Sequence, residues 1–176
     1  MGLENALLIV FVTLALPFAL LRIEGKKWRR ELYLDRKPDW TLTGLRSLKL
    51  LGAIFIATLV GGAVLEELGL LDTHKVIEII RGSGVPLLLL TVTLVPIAEE
   101  LFFRAYLQKR VGVLFASLLF AAMHYGYGSS AEIVAAFTAS VLIGLEMRKN
   151  RDVAACIVAH AAYNLSSIIL VFSGLA

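Results

Sequence analysis

The sequence contains little charge and almost no cysteine. Charged residues make up 18% of its 176 residues, against about 25% in ordinary soluble domains. The single cysteine, Cys156, excludes an internal disulfide and any zinc site built from cysteines. The His-Glu-x-x-His motif of many zinc proteases is absent, and no serine or cysteine is placed for nucleophilic attack. These absences leave carboxylates, histidines and amides as the side chains available for catalysis.

Apolar sequence, by contrast, is abundant. Hydrophobic residues make up 59% of the chain, and the charges are clustered so that several long apolar runs remain. A helix needs about 20 apolar residues to cross a bilayer. Length and composition therefore predict a single membrane domain, an all-α polytopic bundle of about six transmembrane helices.

Six apolar segments are candidates for these helices. They are residues 6–21 (extending back to 3), 45–65, 85–108, 111–124, 133–147 and 153–175. Residues 66–84 read as a polar connection with a short amphipathic piece, and His74 in it as a solvated loop histidine. Residues 1–84 then hold two leading spans and a basic loop, and residues 85–176 hold a four-helix core that we expect to be catalytic.

A basic segment follows the first span. Residues 22–49 contain nine lysines and arginines, interleaved with Trp28, Tyr33 and Trp40. Beside a membrane span, this composition is typical of a cytoplasmic loop at the level of the lipid headgroups, so we expect a lipid partner rather than nucleic acid. With the N-terminus outside, the three inside loops carry nine, two and three basic residues, and the outside loops carry two and none. The positive-inside rule therefore predicts that both termini lie outside. We expect a multi-pass protein of the plasma membrane with its active site toward the cytoplasm.

The stretch Pro96-Ile-Ala-Glu-Glu-Leu-Phe-Phe-Arg104 places three charges inside the third predicted span. Each charge costs roughly 2.5–3.5 kcal/mol on insertion scales, so charged side chains in a span indicate a functional site. Glu100 and Arg104 are four residues apart and can pair on one helix face. Glu99 points about 100° away from Glu100 on an α-helix and stays free for chemistry.

Three further polar residues lie inside predicted spans: His124, His160 and Asn164. Counted from the basic loops, Glu99 and His160 lie at similar depths, and Asn164 follows His160 by one helical turn. One site on the cytoplasmic side of the membrane centre would accommodate all of these groups.

Each of these residues also has a structural interpretation. Glu100 and Arg104 could be a buried pair that fixes helix packing, and His124 could bond a backbone carbonyl. His160 and Asn164 could be interhelical hydrogen-bond partners. Together, however, the residues form an acid/base set with donors for an oxyanion. Glu99 could take a proton from a water held by His124, while His160 and Asn164 donate to the oxyanion.

The motifs resemble those of a known family. Glu-Glu-x-x-x-Arg (Glu99, Glu100, Arg104), Phe-x-x-x-His (Phe120, His124) and His-x-x-x-Asn (His160, Asn164) follow one another on separate predicted spans. This order resembles the CPBP family of CAAX prenyl proteases and bacteriocin-processing enzymes, also called the Abi family. The resemblance covers residues 85–172, about half of the chain.

The resemblance implies an intramembrane endopeptidase with a cavity open toward the cytoplasm. It implies Glu99 as the base with His124, Glu100 and Arg104 as supports, and His160 and Asn164 as oxyanion stabilisers. Members are often labelled metalloproteases, so a zinc site with Glu99, His124 and His160 as ligands stays open beside a metal-free mechanism. The expected substrate is a peptide or protein, with the C-terminal tripeptide of a prenylated protein as one candidate.

Two other functions remain open at this point. The chain could be a non-enzymatic membrane scaffold or regulatory protein of the same fold. It could also be a small proton-coupled transporter that uses its buried carboxylates and histidines, although the sequence has no inverted repeat.

Overall fold

The computed structural model describes residues 2–175, and within them the chain is helical with no β-strand. The helices are α1 (Leu3–Ile23), α2 (Trp28–Glu31), α3 (Trp40–Glu67), α4 (His74–Gly82), α5 (Val85–Val92), α6 (Leu94–Glu99), a π-helix (Glu100–Leu107), α7 (Gln108–Met123), a 3₁₀ turn (His124–Tyr127), α8 (Ser130–Asn150) and α9 (Val153–Ser173). The predicted all-α fold is confirmed.

Five continuous helical segments are long and apolar enough to cross a membrane: Leu3–Ile23, Trp40–Glu67, Val85–Tyr127, Ser130–Asn150 and Val153–Ser173. The third has 43 residues and reverses direction at Gly112, whose φ of 81° and ψ of 169° lie outside the helical region. Glycine has no Cβ and adopts this positive φ without strain. The predicted third and fourth spans are therefore two legs of one segment, and six legs cross the bundle.

Side-chain caps explain why two spans begin earlier than hydropathy indicates. The Asp39 carboxylate accepts from the Leu42 backbone N–H, and α3 begins at Trp40 rather than near residue 45. The Ser129 hydroxyl accepts from the backbone N–H of Glu132, and α8 begins at Ser130 rather than at residue 133. Caps satisfy N–H groups that have no partner within the first helical turn.

The third predicted span is not one regular helix. α5 ends at Val92, Thr93 has a φ of −114° and a ψ of −80°, and α6 then begins at Leu94. Pro96 has no N–H to bond the carbonyl four residues earlier, which accounts for the interruption. After α6, residues Glu100–Leu107 form a π-helix. This form occurs often at functional sites.

The six legs give the bundle two distinct ends. We call the end formed by residues 22–40, 108–112 and 148–153 the basic end. The other end, which we call the cavity end, is formed by the start of α1, the end of α3, α4, the start of α5, the 3₁₀ turn and the end of α9. Between the two ends, Leu21, Ile54, Ala105, Met147 and Cys156 belong to the main apolar core.

Ion pairs tie the connections together at the basic end. Glu24 accepts from Tyr106 Oη at 2.8 Å, and its other oxygen lies 2.5 Å from Arg110 Nη2 and 2.9 Å from Lys26 Nζ. These hydrogen bonds, that of Lys26 being the strongest influence, lower the pKa of Glu24 from 4.5 to about 2. Glu24 therefore connects the segment after α1 to the C-terminal end of the π-helix, through Tyr106, and to α7, through Arg110.

Candidate active site

A buried ion pair forms the base of the site. Arg104 Nε lies 3.1 Å from Glu100 Oε2, and both side chains are fully enclosed. The two groups are at ion-pair distance, but their N–H and oxygen are not aligned as a hydrogen bond. No protein atom among residues 2–175 accepts from Arg104 Nη1 or Nη2. The guanidinium instead lies over the Phe120 ring, 4.8 Å from its centroid, where the π face attracts a cation.

His160 joins this pair to the second carboxylate. Its Nδ1 lies 2.8 Å from Glu100 Oε1, and its Nε2 lies 3.7 Å from Glu99 Oε2. Because a carboxylate only accepts, Nδ1 carries a proton and donates it to Glu100. The Nε2 atom therefore faces Glu99, at a distance longer than a direct hydrogen bond.

Phe120 contacts His124 through its carbonyl group and its ring, next to His160. His124 Nδ1 lies 2.9 Å from the Phe120 carbonyl, which accepts its proton and leaves Nε2 as the second ring nitrogen. The His124 ring lies between Phe120, at 4.7 Å between centroids, and Tyr127, at 5.8 Å. Phe120 also meets the His160 ring edge-to-face at 6.1 Å. A single aromatic ring therefore positions the arginine and both histidines.

Asn164 is held by the break in the third span. Its amide Nδ2 donates to the carbonyl of Thr91 at 3.0 Å, two residues before the interruption at Thr93. The amide nitrogen carries two hydrogens, and this bond uses one of them. The second hydrogen remains for a group in the cavity beside Asn164.

Two cavities meet these side chains. The larger, of about 1210 Å³, extends from Glu99, His124 and Asn164 to the cavity end of the bundle. The smaller, of about 50 Å³, lies among Phe120, His124, His160 and Asn164. A polar cavity of this size can accommodate a water molecule, which needs at least roughly 10–15 Å³. Glu99 is thus accessible from one side and in contact with His160 on the other.

The structure adds Glu132 to the residues of the site. Glu132 is half-buried, lines both cavities, and forms no side-chain hydrogen bond or ion pair within residues 2–175. The predicted fifth span begins at residue 133, which places Glu132 just outside it, whereas the helix begins at Ser130. The signal was present in Ser129-x-x-Glu132, since a serine three residues before a glutamate marks a helix start.

The predicted residues are brought together to different degrees. Glu99, Glu100, Arg104 and His160 form one contact set. His124 joins that set through the Phe120 ring, and Asn164 joins through the shared cavities. His124 also makes the hydrogen bond to a backbone carbonyl that its structural interpretation proposed, since its Nδ1 donates to the carbonyl of Phe120. Cys156 is buried in the core, as expected of a packing residue.

The larger cavity approaches the site from one end of the bundle. Depth counted from the basic loops and the resemblance together predict a cavity open toward the cytoplasm. The larger cavity reaches Glu99 from the other end, between residues such as Leu3, Leu65, Thr73 and Gly126. The cytoplasmic opening of the site stays a prediction.

The zinc hypothesis depends on whether three ligands converge on one point. Within residues 2–175, no three histidine, cysteine, aspartate or glutamate side chains converge closely enough to hold a metal ion. Glu99 and His124, for example, belong to different contact sets, while three-ligand zinc sites need all ligands about 2.0–2.2 Å from one point. A zinc site with these three ligands stays a prediction.

Comparison with known proteins agrees with the motifs. Residues 81–166 match the family of Rce1-like type II CAAX prenyl endopeptidases. The uncharacterised protein YpbD of Bacillus subtilis (strain 168) is 38% identical over 69 residues, which cover 39% of this chain and 36% of YpbD. The chain thus matches about a third of the length of this curated relative, and no solved structure matches it. Since all six predicted site residues lie within the matched region, the chain belongs to the CPBP family of CAAX proteases.

Proposed function

We propose that this chain is an intramembrane endopeptidase that hydrolyses a peptide bond with a water molecule activated by Glu99. The observation that carries the proposal is the position of Glu99, which lines the large cavity and lies 3.7 Å from His160 Nε2. The second nitrogen of that histidine is held by Glu100. Only one of the two adjacent carboxylates is thus committed to structure, and the other is available to a substrate.

The reaction begins with water beside Glu99. The carboxylate of Glu99 takes a proton from this water, while Nε2 of His124 accepts the other O–H of the water and holds it in place. The water oxygen then bonds to the carbonyl carbon of the substrate, and the carbonyl oxygen becomes an oxyanion. The free hydrogen of the Asn164 amide, which lines the cavity beside Glu99, is a neutral donor for that oxyanion, and preorganised donors of this kind contribute strongly to catalysis.

The second step breaks the peptide bond. As the C–O⁻ group collapses to a carbonyl, the C–N bond breaks and Glu99 returns its proton to the leaving nitrogen. The products are a new C-terminal carboxyl group and a new amine, and Glu99 is again ionised. His160 keeps Glu99 oriented throughout, because its own ring is fixed by Glu100 and Phe120. His160 thus acts beside the base, in addition to the oxyanion role implied by the resemblance.

The substrate is proposed at the level of a class. The cavity volume of about 1210 Å³ exceeds the roughly 300–1,000 Å³ of typical small-ligand pockets, which favours a polypeptide segment. Release of the C-terminal tripeptide from a prenylated protein is the family's candidate reaction, and a cytoplasmic opening at the plasma membrane is its candidate location. Both remain proposals for this chain.

The test is peptide cleavage by the purified protein in lipid vesicles. Fluorogenic apolar peptides and a prenylated CAAX peptide are incubated with wild type, His124→Ala and the matched exposed control Glu78→Gln. Cleavage by wild type and control but not by His124→Ala supports the proposal. If all three proteins fold and none cleaves any peptide, the scaffold alternative is favoured.

A chelator arm separates the two catalytic types. Removal of divalent metals is expected to leave cleavage unchanged, since Glu99 acts directly on water. Loss of activity on chelation, with recovery on addition of zinc, would contradict the metal-free mechanism and reinstate Glu99, His124 and His160 as ligands. Metal content is measured on the same sample before and after chelation, so that any change in cleavage can be compared with the amount of metal bound.

A further inference from the structure

The Asp72 carboxylate accepts four hydrogen bonds, one from α4 and three from the start of α8. Its Oδ1 accepts from Ser129 Oγ at 2.7 Å and from the backbone N–H of Ala131 at 3.0 Å. Its Oδ2 accepts from the backbone N–H of Ser130 at 3.0 Å and from Lys75 Nζ at 3.2 Å. Asp72 itself lies in the loop between α3 and α4. This one side chain therefore joins that loop to the beginning of α8.

The same hydrogen bonds keep Asp72 ionised. The backbone N–H of Ala131, followed by the hydroxyl of Ser129, holds the pKa of the Asp72 carboxyl well below its usual range. A carboxylate at the N-terminus of a helix satisfies N–H groups that have no partner in the first turn, and its negative charge is favourable there. Asp72 thus caps α8 from a distant part of the sequence, in addition to the cap that Ser129 supplies.

Lys75 extends these contacts to the 3₁₀ turn. Its Nζ donates to the carbonyl of Gly128 at 2.6 Å and also lies 3.2 Å from Asp72 Oδ2. Gly128 directly follows the 3₁₀ turn that begins at His124, and its φ of 65° is in the left-handed region, which glycine adopts without strain. We call the three side chains of Asp72, Lys75 and Ser129 the Asp72 clamp. The clamp holds the chain on both sides of the junction between the 3₁₀ turn and α8.

His124 lies at the beginning of the segment that the clamp holds. Its ring is fixed from α7, because Nδ1 donates to the carbonyl of Phe120 at 2.9 Å. Its backbone continues into the 3₁₀ turn, and the clamp fixes the end of that turn through Lys75 and Gly128. The histidine is therefore held from two directions. A displacement of the turn would move the His124 ring relative to Glu99.

Glu132 lies at the other end of the same segment. Its backbone N–H donates to Ser129 Oγ at 3.1 Å, and that hydroxyl donates in turn to Asp72. The Glu132 side chain lines both cavities, as does the His124 side chain. The clamp thus contacts the chain between two residues that face the same cavities, and it sets the position of both.

We propose that Asp72 is a positioning residue of the site, which holds His124 and Glu132 in the geometry that the attack of water requires. This inference rests on the proposed peptidase function and adds a residue to it. Asp72 lies outside residues 81–166, the region that matches the endopeptidase family. If the clamp only stabilised the fold, its loss would lower stability and leave His124 in place.

The test compares Asp72→Ala with the matched control Asp39→Ala. Asp39 also caps a helix, because its carboxylate accepts from the backbone N–H of Leu42 at the start of α3, at the basic end of the bundle. Both substitutions remove an aspartate from a helix N-terminus, so both are expected to lower the temperature of unfolding. Only Asp72→Ala releases the segment that carries His124.

The first readout is the division of the effect between kcat and KM. Cleavage of a fluorogenic apolar peptide is measured at a temperature at which wild type and both variants are folded. Asp72→Ala is expected to lower kcat by about 10- to 100-fold, since a misplacement of about 1 Å can cost about 10²-fold. Its KM should stay within about twofold of wild type, because the lost geometry serves the transition state. Asp39→Ala should keep both constants, and an equal loss of kcat in the two variants overturns the proposal.

The second readout is the position of the His124 ring, which does not depend on cleavage. Protein labelled with ¹⁵N-histidine is studied by NMR in detergent micelles. A His74→Gln background removes the exposed third histidine and leaves the rings of His124 and His160, which His124→Ala assigns. Asp72→Ala is expected to shift the ring nitrogen signals of His124 and to leave those of His160 in place. Asp39→Ala should shift neither.

A folded Asp72→Ala protein with wild-type kcat or with unshifted His124 signals overturns the proposal. If Asp72→Ala does not fold, Asp72→Asn takes its place, since it keeps one acceptor oxygen. It is expected to show smaller changes in both readouts, and wild-type values of both overturn the proposal. Absence of cleavage by wild type would refute the peptidase function, and the His124 signals would then still decide whether Asp72 positions this ring.

Discussion

The Nδ1 atom of His160 lies 2.8 Å from Oε1 of Glu100. The other oxygen of that carboxylate lies 3.1 Å from Arg104 Nε, so Glu100 is occupied on both sides. The adjacent Glu99 lies at 3.7 Å from the opposite nitrogen of the same histidine and borders the large cavity. Two neighbouring glutamates thus have separate tasks, since Glu100 positions the histidine and Glu99 faces the substrate.

The buried pair predicts strong non-additivity in stability. Arg104→Met leaves Glu100 charged and fully enclosed, and removing one partner of a buried pair costs about 3–5 kcal/mol. The double variant Glu100→Gln/Arg104→Met leaves no uncompensated charge and is expected to be more stable than Arg104→Met alone. Denaturant unfolding of wild type, Glu100→Gln, Arg104→Met and the double variant in mixed micelles measures the coupling. Strictly additive changes would show that the two side chains act independently.

The Phe120 ring is expected to matter for both stability and turnover. Phe120→Leu removes the face on which the Arg104 guanidinium rests, 4.8 Å from the centroid, a contact that contributes up to about 2 kcal/mol when desolvated. It also frees the His124 and His160 rings, so kcat should fall more than KM changes. Steady-state kinetics and thermal unfolding of the variant check both expectations.

Phe115→Leu is the matched control on the same helix. Phe115 is 53% exposed on the lateral surface of the bundle, and its truncation should leave kcat unchanged and stability within about 0.5 kcal/mol of wild type, as for most surface substitutions. Equal effects of the two substitutions would remove the special role assigned to Phe120.

Glu132→Gln is expected to lower activity without lowering stability. The Glu132 carboxylate makes no hydrogen bond or ion pair within residues 2–175, yet it lines both cavities together with His124 and Asn164. Its charge therefore acts on the histidine and the substrate, and we expect a loss of about tenfold in kcat/KM, within the range for groups that assist proton transfer. The pH profile of kcat/KM should also change shape, which a purely structural substitution would not produce. Wild-type kinetics with an unchanged pH profile would exclude Glu132 from the site.

Much of the fold could be predicted from the sequence because apolar runs of membrane-spanning length have few alternatives. α1 and α9 follow the predicted runs closely, and α4 follows the predicted amphipathic piece. The early starts of α3 and α8 depend on single capping hydrogen bonds from Asp39 and Ser129, which hydropathy does not detect.

The sequence predicted which residues form the site better than it predicted how they contact one another. Charged residues inside spans indicated Glu99, Glu100 and Arg104, and helical spacing correctly paired the last two. Sequence could not show that His160 contacts both glutamates, since that requires α9 to pack beside the π-helix. Nor could it show from which end the cavity reaches Glu99, because depth along a helix does not specify which end of the bundle is open.

The basic end should lose stability in acid through Glu24. Its pKa is lowered to about 2 in the folded protein, mainly by the Lys26 hydrogen bond and then by Arg110 and Tyr106. The native state therefore binds this proton less readily than the unfolded state, so the contribution is complete above about pH 4.5 and declines as the pH falls toward 2. Thermal unfolding in detergent, measured from about pH 7 to about pH 3, should show wild type and Glu24→Gln converging at low pH.

Asp35→Asn is the control for this measurement. Asp35 is exposed and forms no ion pair within the described residues, so its substitution should leave the pH dependence of wild type intact. A difference between wild type and Glu24→Gln that stays constant down to about pH 3 would contradict the assignment of acid sensitivity to Glu24.

The central claim is that Glu99 activates the water that attacks the peptide bond, and the most direct test is the turnover number of Glu99→Gln. The substitution keeps the size of the side chain and removes the proton acceptor, so kcat should fall by about 10²–10⁴-fold. Thermal unfolding and KM should stay close to wild type, and Glu78→Gln, exposed on α4, should have full activity. A Glu99→Gln protein that cleaves at the wild-type rate would contradict the account.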